Sequence, residues 1–239
     1  MKKSTFVSTV AVFAAFNVIC DSLMGPPLPV PPSVWYSWGF MATPITGIVL
    51  GPYAGFLSSL IGVMIGHSIY FRDPYEFLFT LGAPIGAMIS GFLFRGRWKI
   101  ALIYYTALLA IYFITPVAWQ LPIWGMWNVY LAYASLLVAM IVVRKKSFKP
   151  ESKGLLYAIA LCAFIGLEAD VLFRIFVFIP CQTYRLPFYE LDIEALRSIW
   201  SLAAVETSIK AAMATIVTVI VGPPLIRVIK KSGFSSWFE

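Results

Sequence analysis

Apolar runs long enough to cross a bilayer recur from one end of this chain to the other, and nothing else in it limits the fold so severely. Read between charges and Pro/Gly breaks, they give eight candidate spans, at about 5–24, 34–50, 53–71, 76–94, 100–118, 123–143, 154–179 and 198–222. A span needs ~20 apolar residues to match the hydrocarbon thickness. Inside lipid every peptide group must find its partner within the protein, which selects helices here. Eight spans use about 70% of the 239 residues and leave only short connections, and the chain is 60% hydrophobic and 12% charged, against ~25% charged in ordinary globular chains. The expected fold is an all-α integral membrane protein, one domain over 1–239, with no soluble domain left over.

Basic residues set the expected orientation, because cytoplasmic loops retain positive charge. With both termini cytoplasmic, thirteen of the eighteen Lys and Arg residues lie inside: Lys2, Lys3, Arg95, Arg97, Lys99, Arg144, Lys145, Lys146, Lys149, Lys153, Arg227, Lys230 and Lys231. Arg72, Arg185 and Arg197 fall outside, and Arg174 and Lys210 within spans. The net charge of +7 is thereby explained by topology rather than by a nucleic-acid partner, and the expected location is the cell membrane. The first run, after Lys2-Lys3, is long and lacks a small-residue cleavage pattern, so it reads as a retained helix. Gly51-Pro52 reads as a hairpin at the membrane surface. Outside, Gly25–Ser33 (GPPLPVPPS) cannot be helical, and Pro180–Arg197, with Glu190, Asp192 and Glu194, suits a short helix lying over the surface.

Some chemistries are excluded by counting. Cys20, Cys162 and Cys181 have no metal or redox spacing, and a single histidine, His67, rules out multi-histidine metal centres. No cofactor and no metal site is expected, and the absence of GxxxxGK[ST] means that the chain binds no ATP through a P-loop.

An ionisable residue at mid-span costs ~2.5–3.5 kcal/mol on insertion scales, so such residues usually face a cavity or a partner. Asp21, His67, Glu168, Asp170, Arg174, Glu206 and Lys210 all fall near the midplane or outward of it, as a solute site open to the exterior requires. Asp170/Arg174 and Glu206/Lys210 are spaced i to i+4 and can neutralise themselves on their own helices. Glu168 and Asp21 have no basic residue at that spacing, which makes them the stronger functional candidates, whereas a helix-end His67 can simply reach water. Glycines in the second to fourth spans (Gly47, Gly51, Gly55, Gly62, Gly66, Gly82, Gly86, Gly91) read first as close helix packing. Ala11, Ala14 and Ala15 leave a smooth face that packs internally or docks another helix. Most of the tryptophans read as belt residues at the headgroups, and Trp35, directly after the proline-rich loop, is the candidate to stack on a flat ligand.

Three stretches carry a family resemblance. The basic pair leading into Ala11, Ala14 and Ala15, the segment ITGIVLGPYAGFLSSLIGVMIG (Ile45–Gly66), and AAVETSIKAAMATIVTVIVGPPLIRVIKK (Ala203–Lys231) resemble, in order and sidedness, the substrate-binding S components of energy-coupling factor (ECF) vitamin transporters. The resemblance covers a third to a half of the chain. It implies a six-helix bundle that binds a water-soluble vitamin or related nutrient in its outer half under the loop after helix one. Asp21, Trp35, His67, Glu168, Asp170, Arg174, Glu206 and Lys210 would be substrate contacts. Ala11, Ala14 and Ala15 would face a transmembrane coupling subunit, with two ATPase subunits behind it. The family has six spans, so the pair within about 100–143 is read as an addition.

On this reading the chain is a solute-binding uptake subunit and not itself an enzyme. Four acids and two bases among Asp21, Glu168, Asp170, Arg174, Glu206 and Lys210 favour a ligand carrying hydrogen-bond donors or a positive charge. Two rivals stay open. One is an intramembrane enzyme using Glu168 or Asp170 as general acid or base on a lipid or prenyl substrate. The other is a stand-alone carrier, channel or structural membrane subunit.

Overall fold

The computed structural model describes residues 3–23, 37–71, 74–143, 153–187 and 190–231. These are helical, with no strand among them, in the order α1 (Lys3–Ser22), α2 (Gly39–Leu50), α3 (Pro52–Ile69), α4 (Pro74–Phe79), α5 (Gly82–Phe94), α6 (Trp98–Ile114), α7 (Trp127–Val143), α8 (Lys153–Phe178) and α9 (Ile193–Lys231). Short 3₁₀ turns at Pro116–Gln120 and Ile123–Met126 join α6 to α7, and another sits at Thr183–Arg185. Five stretches among the described residues are long and apolar enough to cross a membrane: Pro52–Ile69, Glu76–Phe94, Ile123–Ile141, Gly154–Phe178 and Ile193–Ile229. The outer faces match that environment. Large apolar side chains face outward along the helices, Ile103, Ile141 and Ile220 among them (68, 73 and 66% exposed), the pattern expected where lipid is the solvent.

Several expected boundaries shift. The span read at 34–50 is a helix of only 12 residues, roughly 18 Å at 1.5 Å per residue and therefore shorter than the hydrocarbon core. The span at 76–94 is broken at Thr80–Leu81 into α4 and α5. In place of a separate helix over Pro180–Arg197 there is the 3₁₀ turn and then the start of α9. Asp192 Oδ1 accepts a bond from the Ala195 N–H at 2.7 Å, capping the new helix. That cap starts α9 at Ile193, and the helix runs to Lys231 through Pro223 and Pro224, well past 198–222 on both sides.

Small residues decide the packing. A Cβ on Gly86 would lie 2.8 Å from Gly166 O, one on Gly55 2.9 Å from Gly47 Cα, and one on Gly62 2.9 Å from Ala14 O. Helix backbones therefore touch along α5–α8, α2–α3 and α1–α3, which is the packing role read from the glycine spacing. The α6/α7 pair is joined to α8 by polar bonds as well as by apolar contact. Tyr104 donates to Ala169 O (2.8 Å), and Tyr105 donates to Ile165 O (2.6 Å).

The Gly51-Pro52 hairpin forms as expected. Gly51 holds φ 83° and ψ −179°, a region open essentially to glycine alone, and Pro52 opens α3. Arg95, just beyond α5, donates from Nη2 to Leu50 O at 3.3 Å, supplying a partner to the last carbonyl of α2. Burial, with Arg97 beside it, draws the Arg95 guanidinium below its ordinary value. Gly51→Ala is expected to cost about 2 kcal/mol, since alanine cannot hold that backbone without strain. Unfolding in mixed detergent–SDS micelles would show it, and an unchanged midpoint would refute the strain.

Candidate functional site

At the end of the bundle opposite the Gly51-Pro52 hairpin, four helices bring charged groups together. Asp21 is in the last turn of α1, His67 in the last turn of α3, Glu76 in α4, and Asp170 and Arg174 in the C-terminal half of α8. Glycines make the room. A Cβ on Gly66 would fall 2.7 Å from Asp21 Cβ, and the backbone of Gly82 lies directly against the Asp170 carboxylate. His67 Nε2 lies 3.5 Å from Asp21 Oδ2 and 3.3 Å from Glu76 Oε1. Asp21 and His67 are buried, and Glu76 is largely so. Ser37 donates to Asp21 Oδ1 (2.8 Å), and the His67 ring meets Phe77 edge-on.

Arg174 grips Asp170 with two bonds, Nε to Oδ1 at 2.6 Å and Nη2 to Oδ2 at 3.3 Å. This is the i, i+4 pairing read from the spacing, in the two-pronged geometry that arginine favours. A Cβ on Gly82 would lie 3.3 Å from Arg174 Nε, so the pair packs against the start of α5, beside α4. Lys210 pairs with Glu206 on α9 and lies 5.9 Å over the ring of Phe40, at the start of α2 beside Gly39 and Asp21. These groups form one polar centre, with the second ion pair on its flank.

Glu168 stands apart. Although only two residues from Asp170, it faces the opposite side of α8, wholly buried. Asn128 of α7 donates to Glu168 Oε2 at 2.9 Å and to Thr207 Oγ1 of α9 at 2.8 Å. The expected list of site residues therefore divides in two. Asp21, His67, Asp170, Arg174, Glu206 and Lys210 share one end of the bundle, while Glu168 belongs to a three-helix bond network. His67 is not a water-facing helix-end residue but a buried one. Trp35 and the Gly25–Ser33 loop lie outside the described residues.

Glu76 and Asn128 were not singled out from the sequence. Glu76 follows Arg72 and Asp73 and reads there as the polar start of a span. Asn128 is uncharged among belt aromatics and has no local signature. Nearby, Trp119, Trp124 and Trp127 are exposed, as belt residues should be.

On the long side of the bundle, α1 and α3 enclose an open apolar groove lined by Val7, Ala11, Ala15, Leu57, Ile61 and Ile65, among others. Ala11 and Ala15 are exposed in it, whereas Ala14 is buried against Gly62 of α3. Of the three alanines, two are thus available to another helix and one is committed to internal packing. Compared with known proteins, the chain matches no family model, no curated protein and no solved structure.

Proposed function

We propose that this chain is a solute-uptake subunit of the cell membrane, the substrate-binding component of an ECF-type transporter for a water-soluble vitamin or related small nutrient. It would cross the bilayer eight times with both termini cytoplasmic, so that the polar centre faces the exterior. The observation that carries the reading is that centre itself. An otherwise apolar bundle gathers Asp21, His67, Glu76, Asp170 and Arg174 from three long helices and one short one at a single end, where a solute could enter from water. Outside function, four or five ionisable groups in such a place would be a plain cost. Excess carboxylates favour a ligand with donors or a cationic group, oriented by Asp21 and Asp170 and flanked by Lys210 and Phe40. The α1/α3 groove, with Ala11 and Ala15 leaving its floor smooth, suits a helix of the coupling subunit. ATP hydrolysis would belong to two ATPase partners, and this chain would catalyse nothing.

Gentle purification from rich medium, denaturation and mass spectrometry should release a small nutrient in stoichiometric amount. Asp21→Asn is expected to weaken its binding by about tenfold, ~1.4 kcal/mol. Ala11→Trp with Ala15→Trp should leave binding intact and lower ATP-dependent uptake in reconstituted vesicles. Recovery of lipid alone across several media, or full uptake in vesicles without an ATPase, would sink the reading.

A further inference from the structure

The triad at the mouth of the polar centre has the build of a metal site. The ligand atoms of Asp21, His67 and Glu76 lie within 4.8 Å of one another. Donor atoms bound roughly 2.0–2.2 Å from a tetrahedral ion stand roughly 3.3–3.6 Å apart. The two distances from His67 Nε2, 3.5 Å to Asp21 Oδ2 and 3.3 Å to Glu76 Oε1, already fall in that range.

The surrounding bonds say which atoms face inward. Thr80 Oγ1 lies 3.2 Å from His67 Nδ1 and donates its own proton to Glu76 O at 3.1 Å. A hydroxyl has one proton, so toward His67 this oxygen is an acceptor, and Nδ1 carries the hydrogen. In that tautomer the Nε2 lone pair points toward the two carboxylates, the disposition a cation bound by all three requires. Ser37 occupies Asp21 Oδ1 and turns Oδ2 toward the same point. Outer partners that orient a ligating imidazole and a ligating carboxylate are the usual support of a bound cation.

We propose that Asp21, His67 and Glu76 bind a first-row divalent transition ion such as Zn²⁺ or Mn²⁺. One imidazole nitrogen with two carboxylate oxygens suits such an ion better than Ca²⁺ or Mg²⁺, which prefer oxygen alone. Thr80 and Ser37 are positioning residues that hold the ligands. The ion would sit beside the solute site, yet the proposal goes beyond the uptake reading and stands without it. A cation bound with no nutrient carried would support this proposal and not that reading.

His67 is the only histidine of the chain, which makes the test direct. Full-length protein carrying a non-histidine tag, stripped with chelator in detergent, is given one equivalent of Cu²⁺ as a paramagnetic probe. Pulsed EPR should show the ¹⁴N modulation of one coordinated imidazole. Its absence from the wild-type spectrum overturns the proposal. Zn²⁺ titration of monodisperse variants supplies the second measurement. Asp21→Asn and Glu76→Gln should each weaken binding by at least about tenfold, and Thr80→Val by about tenfold. Equal Zn²⁺ affinity in wild type, Asp21→Asn and Glu76→Gln would overturn it as well.

Discussion

Replacing Gly47 by leucine is expected to destabilise the bundle by about 3 kcal/mol or more, near or above the top of the usual range for overpacking. Gly47 is where α2, α3 and α5 meet. A Cβ there would lie 2.7 Å from the Ala87 carbonyl carbon and 2.9 Å from Ala87 Cα, while Gly55 and Gly91 close in from the other two helices. What blocks the new side chain is backbone, with Ala87 wholly buried, so no rotamer change can relieve it. The helices must separate, and because all three meet at this point, their packing loosens together. Ile103→Leu, on an exposed face, is the control and should change stability by less than about 0.5 kcal/mol. SDS titration of the folded protein in micelles measures both. A Gly47→Leu midpoint equal to that of the control would show that the junction is looser than described.

Asn128→Leu is expected to cost about 3 kcal/mol, through what it leaves behind rather than what it removes. Glu168 Oε2 would lose its donor, and Oε1 has no hydrogen-bond partner among the described residues. The carboxyl group would then be buried with neither water nor protein to bond it, where an orphaned polar group costs more than its bond was worth. Adding Glu168→Leu should restore much of the loss, because two apolar side chains in facing positions leave Thr207 bonded to Ala203 O and no carboxyl to satisfy. A double-mutant cycle read by the same unfolding assay gives the coupling. If the double variant is as unstable as the sum of the singles, Asn128 and Glu168 act independently and the network has no energetic unity. The cycle also bears on the general acid–base rival, since a carboxyl held this way between α7, α8 and α9 is explained by helix association alone.

Much of the fold was legible because its causes are local. Length and polarity mark a helix that can lie in lipid, so α3, α8 and the region of α9 follow from the runs of apolar residues. A Gly-Pro pair between two such runs forces the α2–α3 turn, and i, i+4 spacing pairs Asp170 with Arg174 before any tertiary contact is known. The failures are equally physical. Apolar runs mark lipid-compatible residues, not helix ends, so α2 came out shorter than expected. The break at Thr80–Leu81 falls where Pro84, four residues after Thr80, has no N–H to offer the Thr80 carbonyl, and Asp192 extends α9 by capping it, an event that composition does not register.

The sequence by itself determined that this chain would be helical and apolar on its outside, where its hairpin would turn, and which ionisable residues were too costly to be incidental. Only the tertiary structure decided their company. It joined Asp21, His67 and Glu76 across separations of up to 55 positions, sent Glu168 to the other side of α8 toward Asn128, and buried Ala14 while leaving Ala11 and Ala15 open. The reason is that a residue's helix face is a local property, whereas the neighbour opposite depends on which glycines let which backbones touch, a choice made by all the helices together.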